Sequence, residues 1–415
     1  MFRLTIFVVV TGLQFLCFTR ARAWTAIRFP GNRLVLSVIT GLFASFSAAL
    51  FVGVFFGRMG SAFPSWLVSA LARPFYIWLG GTIGLGLVLL VWLVVSSPVR
   101  LAGALLRWIP LTAGVYRNVR GHRAAVKFNA ARRAFLLRGA EGIAAASFGG
   151  SAYGIFQGRE GFQRTDTAIE LNNLPAGLDG FTIALVSDIH SSSFMTKDQM
   201  DVYCRGVMSL GADLIVVPGD FVNSQTDEVY PFAESFGALR APSGVFGVMG
   251  NHDFYAGDPE RVAREVNACG IRLLRNDGVV LARGGARFTL AGIDDVGQKE
   301  RAAAHMRSAL GGGPEGIPRI LLSHRPYFLG EAADAGVDLV LSGHTHGGQI
   351  VLGHFGDITL TPAALASPYI WGKYTRGRTQ MYVSRGIGTV GLPMRVNCPP
   401  EITKITLRRA GTTAS

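Results

Sequence analysis

The sequence predicts an α/β catalytic domain preceded by an all-helical membrane region, and three observations lead there. Long uncharged apolar runs bounded by arginines fill the first third of the chain and do not recur after residue 157. The net charge of +13 is uneven, since residues 1–164 hold 18 of the 40 Lys/Arg but only two of the 27 acids. From about Thr167 onward, short apolar runs alternate with segments of helical spacing, and five of those runs stop at side chains able to bind a metal. The expected division is a membrane region over 1–157, with three or four transmembrane helices, and a catalytic domain over 158–415.

In the first region, Leu4 to Phe18 lies between Arg3 and Arg20. It reads as a first span, short against the roughly 20 residues that a crossing needs. Leu34 to Gly57 and Phe75 to Val99 are uncharged throughout and flanked by arginines, so each is a span. Residues 100–133 interleave eight basic residues with Trp108, Tyr116 and Phe128, the composition of an interfacial segment lying on anionic headgroups or of a plain basic loop. Arg132-Arg133 before Ala134-Phe135-Leu136-Leu137 resembles an internal twin-arginine signal or an ordinary membrane flank. The Ala/Gly-rich run that follows, to Phe156, carries Arg138 and Glu141 and is a weak fourth span. Arginine-rich loops stay cytoplasmic, so this segment decides the compartment: the rest of the chain is extracytoplasmic if it crosses and cytoplasmic if it does not.

The basic excess belongs to this apolar half. After residue 164 the balance is slightly acidic, which removes the electrostatic support for nucleic-acid binding there. Cys17, Cys204, Cys269 and Cys398 follow no disulfide or metal spacing.

In the second region, Phe181 to Val186 is an apolar strand ending in Ser187-Asp188-Ile189-His190, and a helix is expected over 197–210. Asp213 to Val217 ends in Pro218-Gly219-Asp220, and Gly244 to Met249 runs into Gly250-Asn251-His252-Asp253. Helices are expected over 228–240, 259–268 and 299–310, with short strands near 271–274, 279–283 and 287–292. Arg319 to Leu322 ends at Ser323-His324-Arg325. Val337 to Ser342 ends in Gly343-His344-Thr345-His346-Gly347-Gly348, where extended backbone would turn both imidazoles to one side. Five strand tips thus carry five of the eight histidines, and in open α/β sheets ligands collect beyond the carboxyl ends of strands.

In this order, Asp-x-His, Gly-Asp, Gly-Asn-His-Asp, a strand-terminal His and Gly-His-x-His resemble the calcineurin-like metallophosphoesterase family over about residues 180–407. Tyr382 to Gly388 with Pro393, Arg395 and Glu401 is similar to its membrane-anchored bacterial branch. The resemblance implies two packed mixed β-sheets flanked by helices, an αββα sandwich, with two divalent ions at the strand tips. One ion would take Asp188, His190, Asp220 and His346; the other would take Asp220, Asn251, His324 and His344, with Asp220 bridging. Carboxylate, imidazole and amide donors suit Mn, Fe or Zn. His252 would protonate the leaving oxygen, oriented by Asp253. Arg325, Arg385 and Arg395 are candidates for gripping phosphate. Where relatives often read Gly-Asp-x-x-Asp, this chain has Asn223, which puts in doubt any tuning of His252 or Asn251 by a carboxylate at that position.

The expectation is a multi-pass protein of the bacterial inner (cytoplasmic) membrane with an extracytoplasmic catalytic domain. It would hydrolyse a lipid-linked or small phosphoester, as a phosphodiesterase at the bilayer surface. The rivals are a UDP-diacylglucosamine pyrophosphatase of lipid A synthesis and a membrane sensor or scaffold with a spent domain.

Overall fold

A computed structural model describes residues 2–56, 65–108, 123–157, 161–356 and 358–411. The chain divides into two compact units, Met1–Ile155 and Phe156–Ser415.

In the first unit the arginine-bounded apolar runs are helices: α1 (Phe2–Arg28), α2 (Arg33–Phe56), α3 (Ser65–Trp108) and α4 (Arg123–Gln157). Among the described residues three stretches, Leu4–Arg28, Arg33–Phe55 and Ala70–Val99, are long and apolar enough to cross a membrane. The first is longer than the apolar run ending at Phe18, because Arg20 to Arg28 is built of good helix formers and continues the same helix. The basic segment expected over 100–133 lies outside the described residues for 109–122; its two ends are helical, continuing α3 and opening α4. Helix α4 packs on its neighbours through small residues. Its Phe148 ring lies 5.8 Å from that of Trp78, and Ser151 Oγ is 3.5 Å from the Tyr76 carbonyl. Small side chains let helices approach where lipid offers no hydrophobic drive.

The second unit is the αββα sandwich. One six-stranded sheet runs in the order β1 (Gln163–Leu171), β14 (Glu401–Arg409), β2 (Thr182–Leu185), β3 (Leu214–Val217), β4 (Val245–Gly247), β5 (Arg272–Leu273). The other runs β12 (Gly372–Arg376), β13 (Thr379–Val383), β9 (Leu339–Ser342), β8 (Arg319–Ser323), β7 (Ala286–Ile293), β6 (Asp277–Arg283). A small hairpin, β10 (Gly353–Phe355) with β11 (Ile358–Leu360), stands apart. Strands β2 to β4 are mutually parallel, as are β8 and β9.

The strands read as unbroken apolar runs because both their faces are covered. Alternate residues of the two sheets, among them Ile183, Leu185, Leu214, Val216, Leu290, Ile320, Leu322, Leu339 and Leu341, form the layer between them. The intervening residues of the first sheet, such as Ala184, Ile215 and Val217, face α5 (Lys197–Met208), α6 (Val229–Phe236) and α8 (Pro259–Ala268). Those of the second, such as Ala291, Leu321 and Val340, face α9 (Lys299–Gly311) and α10 (Leu329–Asp334). Helix α6 stops at Phe236, short of the expected residue 240, where Gly237 caps it. A short helix, α7 (Asn251–Tyr255), begins directly after Gly250 and was not anticipated.

Candidate metal centre

Parallel strands bring their carboxyl ends to one edge, and this is where the five tips meet. Asp188 and His190 follow β2, Asp220 follows β3, Asn251 opens α7 after β4, His324 follows β8, and His344 and His346 follow β9. Of the eight non-glycine residues with positive φ among the described residues, five are Asp188, His190, Asp220, His344 and His346. Left-handed backbone at non-glycine residues costs about 1–3 kcal/mol each and persists where the surroundings enforce it, which happens mostly at functional sites. Glycine is needed beside them. A Cβ on Gly343 would collide with the Asp188 carboxylate, and one on Gly250 would collide with Asp220.

Two donor sets result. Ligand atoms of Asp188, His190, Asp220 and His346 lie within 4.8 Å of one another, as do those of Asp220, His324 and His344. His190 Nε2 is 3.1 Å from His346 Nε2 and 3.3 Å from Asp220 Oδ2. His324 Nε2 is 3.3 Å from the same Asp220 oxygen, 3.1 Å from His344 Nδ1 and 3.1 Å from Asn251 Oδ1. Among the described residues His190 Nδ1 is buried without a partner, and the ring's contacts run through Nε2. Buried lone pairs that converge this closely and lack matching protons are what a cation satisfies, so both donor sets fit a divalent ion. The rings are aimed from behind: His324 Nδ1–H meets the Pro218 carbonyl at 2.8 Å, which turns Nε2 toward Asp220.

Burial opposes charge throughout, and the carboxylates decide where charge survives. Burial works against a proton on His324, but Asp220 and then Asp188 lift it to about 10. His324 and His190 in turn hold the Asp220 carboxyl well below its ordinary range despite its burial. Burial, then the charges on His324 and Arg325, push His344 down to about 2.

His252 is half-buried beside this cluster, with its ring 4.6 Å from that of His190. Its Nδ1 faces the backbone carbonyl of Asn223 at 2.5 Å, and its Nε2 has no protein partner among the described residues. Burial pushes its pKa down, against the pull of Asp220. Asp253 does not orient it, contrary to expectation. Adjacent residues of a helix do not face each other, and the Asp253 carboxylate instead accepts the backbone N–H groups of Gly250, Asp220, Phe221 and Val222 at 2.8–3.1 Å. Burial and Asp220 push Asp253 up to about 7. The backbone N–H groups, those of Gly250 and Val222 foremost, work the other way and limit the rise. The substitution at 223 also loses its force, since what that residue offers His252 is a backbone carbonyl.

The three candidate phosphate-gripping arginines differ in how far the fold engages them. Arg395 is 2% exposed and gives its guanidinium to the carbonyls of His346, Arg385, Gly386, Gly388 and Cys398. Arg385 is buried and donates through Nη2 to Glu401 and Gln163, while its Nε has no partner among the described residues. A guanidinium spent on carbonyls inside the fold, as that of Arg395 is, is not free for substrate. Arg325 alone stays at the rim, clamped side-on by Asp295 at 2.7 and 3.0 Å, two residues before a Tyr327 ring that lies 5.4 Å from His344. Glu228, which sequence reasoning passed over, binds three backbone N–H groups of the loop after Asp220.

Comparison with known proteins gives a consistent picture. Residues 181–348 match the calcineurin-like phosphoesterase family. A transmembrane protein with metallophosphoesterase domain from Danio rerio is 32% identical over 270 residues, 63% of this chain and 60% of its own length. An uncharacterised metallophosphoesterase of Bacillus subtilis, YkuE, is 32% identical over 269 residues, 63% of this chain and 90% of its own. Phosphodiesterase YaeI of Escherichia coli is 29% identical over 235 residues, 55% of this chain and 82% of its own. The alignment thus spans 57–60% of the two vertebrate relatives, from Danio rerio and Bos taurus, and 82–90% of the Escherichia coli and Bacillus subtilis ones.

Proposed function

The chain belongs to the calcineurin-like metallophosphoesterases, and we propose that its paired Asp/His centre makes it a membrane-anchored, divalent-metal-dependent phosphodiesterase. The observation that carries this reading is Asp220, whose Oδ2 stands 3.3 Å from both His190 Nε2 and His324 Nε2 and so belongs to both donor sets. Asp188, His190, Asp220 and His346 would hold one ion; Asp220, Asn251, His324 and His344 would hold the other. Mn, Fe or Zn suits these donors. Bound there, the ions would act as Lewis acids, acidifying water and offsetting charge on the phosphoryl oxygens.

The chain's own groups supply the rest. Asp188 and Asp220 are fixed by backbone contacts, Asp188 Oδ1 taking the His344 N–H at 2.8 Å and Asp220 Oδ1 the His252 N–H at 2.9 Å, so the carboxylates need no reorganisation. His252 passes the proton on Nε2 to the leaving oxygen as its bond to phosphorus breaks. Arg325, held flat by Asp295, is placed to meet a phosphate oxygen at the rim. The name of the Escherichia coli relative supports diester over monoester preference.

Three apolar helices support membrane attachment, and the packing of α4 on α3 supports a fourth crossing. With four crossings and arginine-rich loops kept cytoplasmic, the hydrolase unit lies on the extracytoplasmic side of a bacterial inner membrane. Attachment to a membrane favours a lipid-linked or cell-envelope phosphoester as substrate.

The test is metal reconstitution of the full chain with turnover of bis-p-nitrophenyl phosphate, p-nitrophenyl phosphate and extracted lipids. Asp220→Asn should lose bound metal, and with it about 10³-fold or more of turnover, because the interaction removed is worth several kcal/mol at the transition state. Turnover that ignores chelators, or an unimpaired variant, would overturn the reading.

A further inference from the structure

We infer that Glu228 is the positioning residue for His252: its carboxylate fixes the loop whose Asn223 carbonyl holds the His252 ring. The inference rests on His252 being the proton donor of the proposed reaction.

Six consecutive backbone N–H groups, from Asp220 to Gln225, are taken by two carboxylates. Asp253 accepts those of Asp220, Phe221 and Val222. A single oxygen of Glu228, Oε2, accepts those of Asn223 (2.9 Å), Ser224 (2.7 Å) and Gln225 (3.0 Å). The handover falls between Val222 and Asn223, and the Asn223 carbonyl is the group facing His252 Nδ1. Thr226 Oγ1 pins the far end of the loop, donating to the Ala256 carbonyl at 2.9 Å and accepting the Asp258 N–H at 3.1 Å. The other neighbours of the His252 ring, His190 and Tyr255, meet it as ring contacts and bind neither nitrogen. Among the described residues the ring nitrogens thus have one hydrogen-bond partner, the Asn223 carbonyl, and the loop from that residue onward is held by Glu228.

The chemical consequence is specific. A carbonyl at Nδ1 fixes the proton there and leaves Nε2 as the nitrogen that exchanges a proton with substrate. As the bond from phosphorus to the leaving oxygen breaks, its electron pair stays on that oxygen and takes the Nε2 proton. Water supplies the hydroxyl that ends on phosphorus and the proton that restores His252. Loosening the carbonyl misplaces Nε2, and this hurts most where the leaving oxygen is a poor leaving group.

The experiment compares wild-type full chain, Glu228→Ala, Glu228→Asp, Glu228→Gln and His252→Ala on methyl p-nitrophenyl phosphate and methyl phenyl phosphate, with bound metal and melting temperature measured alongside. General acid catalysis contributes about 10²–10⁴-fold, so partial misplacement should cost about 10-fold or more in kcat on the phenyl ester. The p-nitrophenyl ester, KM and metal content should change little. Glu228→Asp withdraws the oxygen while keeping the charge and should behave like Glu228→Ala, so it carries the test if the alanine variant fails to fold. Glu228→Gln keeps an acceptor in place and should restore the phenyl ester. Equal loss on both esters in the Glu228 variants, or no loss, overturns the inference while His252→Ala discriminates between the esters. If His252→Ala does not discriminate, the proton-donor reading falls, and the inference with it.

Discussion

Replacing Asp253 with Asn isolates the part of the centre that holds shape and touches no substrate. The carboxylate is fully buried and accepts two backbone N–H groups on each oxygen. An amide of the same shape keeps one acceptor oxygen and presents an NH₂ group to the other pair, so two buried N–H groups face a donor. A hydrogen bond to a charged group contributes about 1.5–3 kcal/mol and a buried unpaired donor costs about 1–3 kcal/mol, so the two lost bonds come to roughly 3–6 kcal/mol. Removing a buried charge returns part of this, leaving about 3–5 kcal/mol. In a folded unit of this size each kcal/mol moves the melting temperature by about 2–4 °C, so Asp253→Asn should melt about 6–20 °C below wild type. The assay is thermal unfolding of the full chain in detergent at a fixed scan rate, followed by intrinsic fluorescence, with metal content measured on the same samples. Metal should fall too, because the loops carrying Asp220 and Asn251 lose their common anchor. A variant that melts with wild type and retains its metal would refute the reasoning, since the loops would then be held by something else.

Arg395→Lys tests the structural reading of that arginine: lysine has three donors where six hydrogen bonds to carbonyls exist, a loss of about 2–4 kcal/mol seen as a lower melting temperature with KM unchanged. A raised KM at unchanged melting temperature would return Arg395 to the substrate. For orientation, an alkaline-phosphatase reporter fused after Ser415 should be active, and an inactive one beside a fluorescent cytoplasmic fusion would place the hydrolase unit inside.

The strand tips were legible because each is an apolar run of strand length that stops at Asp, Asn or His. The left-handed backbone at Asp188, His190, Asp220, His344 and His346 was not, since nothing in those residue types demands it. The spacing of His344 and His346 implies extended geometry, whereas the chain turns sharply through Gly347 and Gly348. Adjacency misleads at Asp253: next to His252 in the chain, it points elsewhere once the two lie on a helix. Arg385 and Arg395 could not be sorted by type, because a guanidinium suits phosphate and a crowd of carbonyls equally well, and only burial separates the two uses. Glu228 did leave a signal. Gln225 and Glu228 form a capping box at the start of a short 3-10 turn, a spacing of the kind that marks helix starts in sequence.

The centre is assembled by the packing of the two sheets, and this links the core to the chemistry. The first donor set takes Asp188, His190 and Asp220 from the sheet of β2 and β3 but His346 from that of β9. The second takes Asp220 from one sheet and His324 and His344 from the other, with Asn251 at hydrogen-bond distance of His324. Neither set exists until Leu185, Val216, Leu322 and Leu341 and their neighbours have closed the layer between the sheets in register. A slip of one residue in β9 would turn its inward side chains outward and carry both histidines away from Asp220. Ions bound across the seam would in turn hold the sheets together, adding about 2.7 kcal/mol when free metal is a hundredfold above its dissociation constant. The fixed, strained tips are thus affordable only because a large intersheet core stands behind them, and for the same reason the site residues come from positions as distant as 188 and 346.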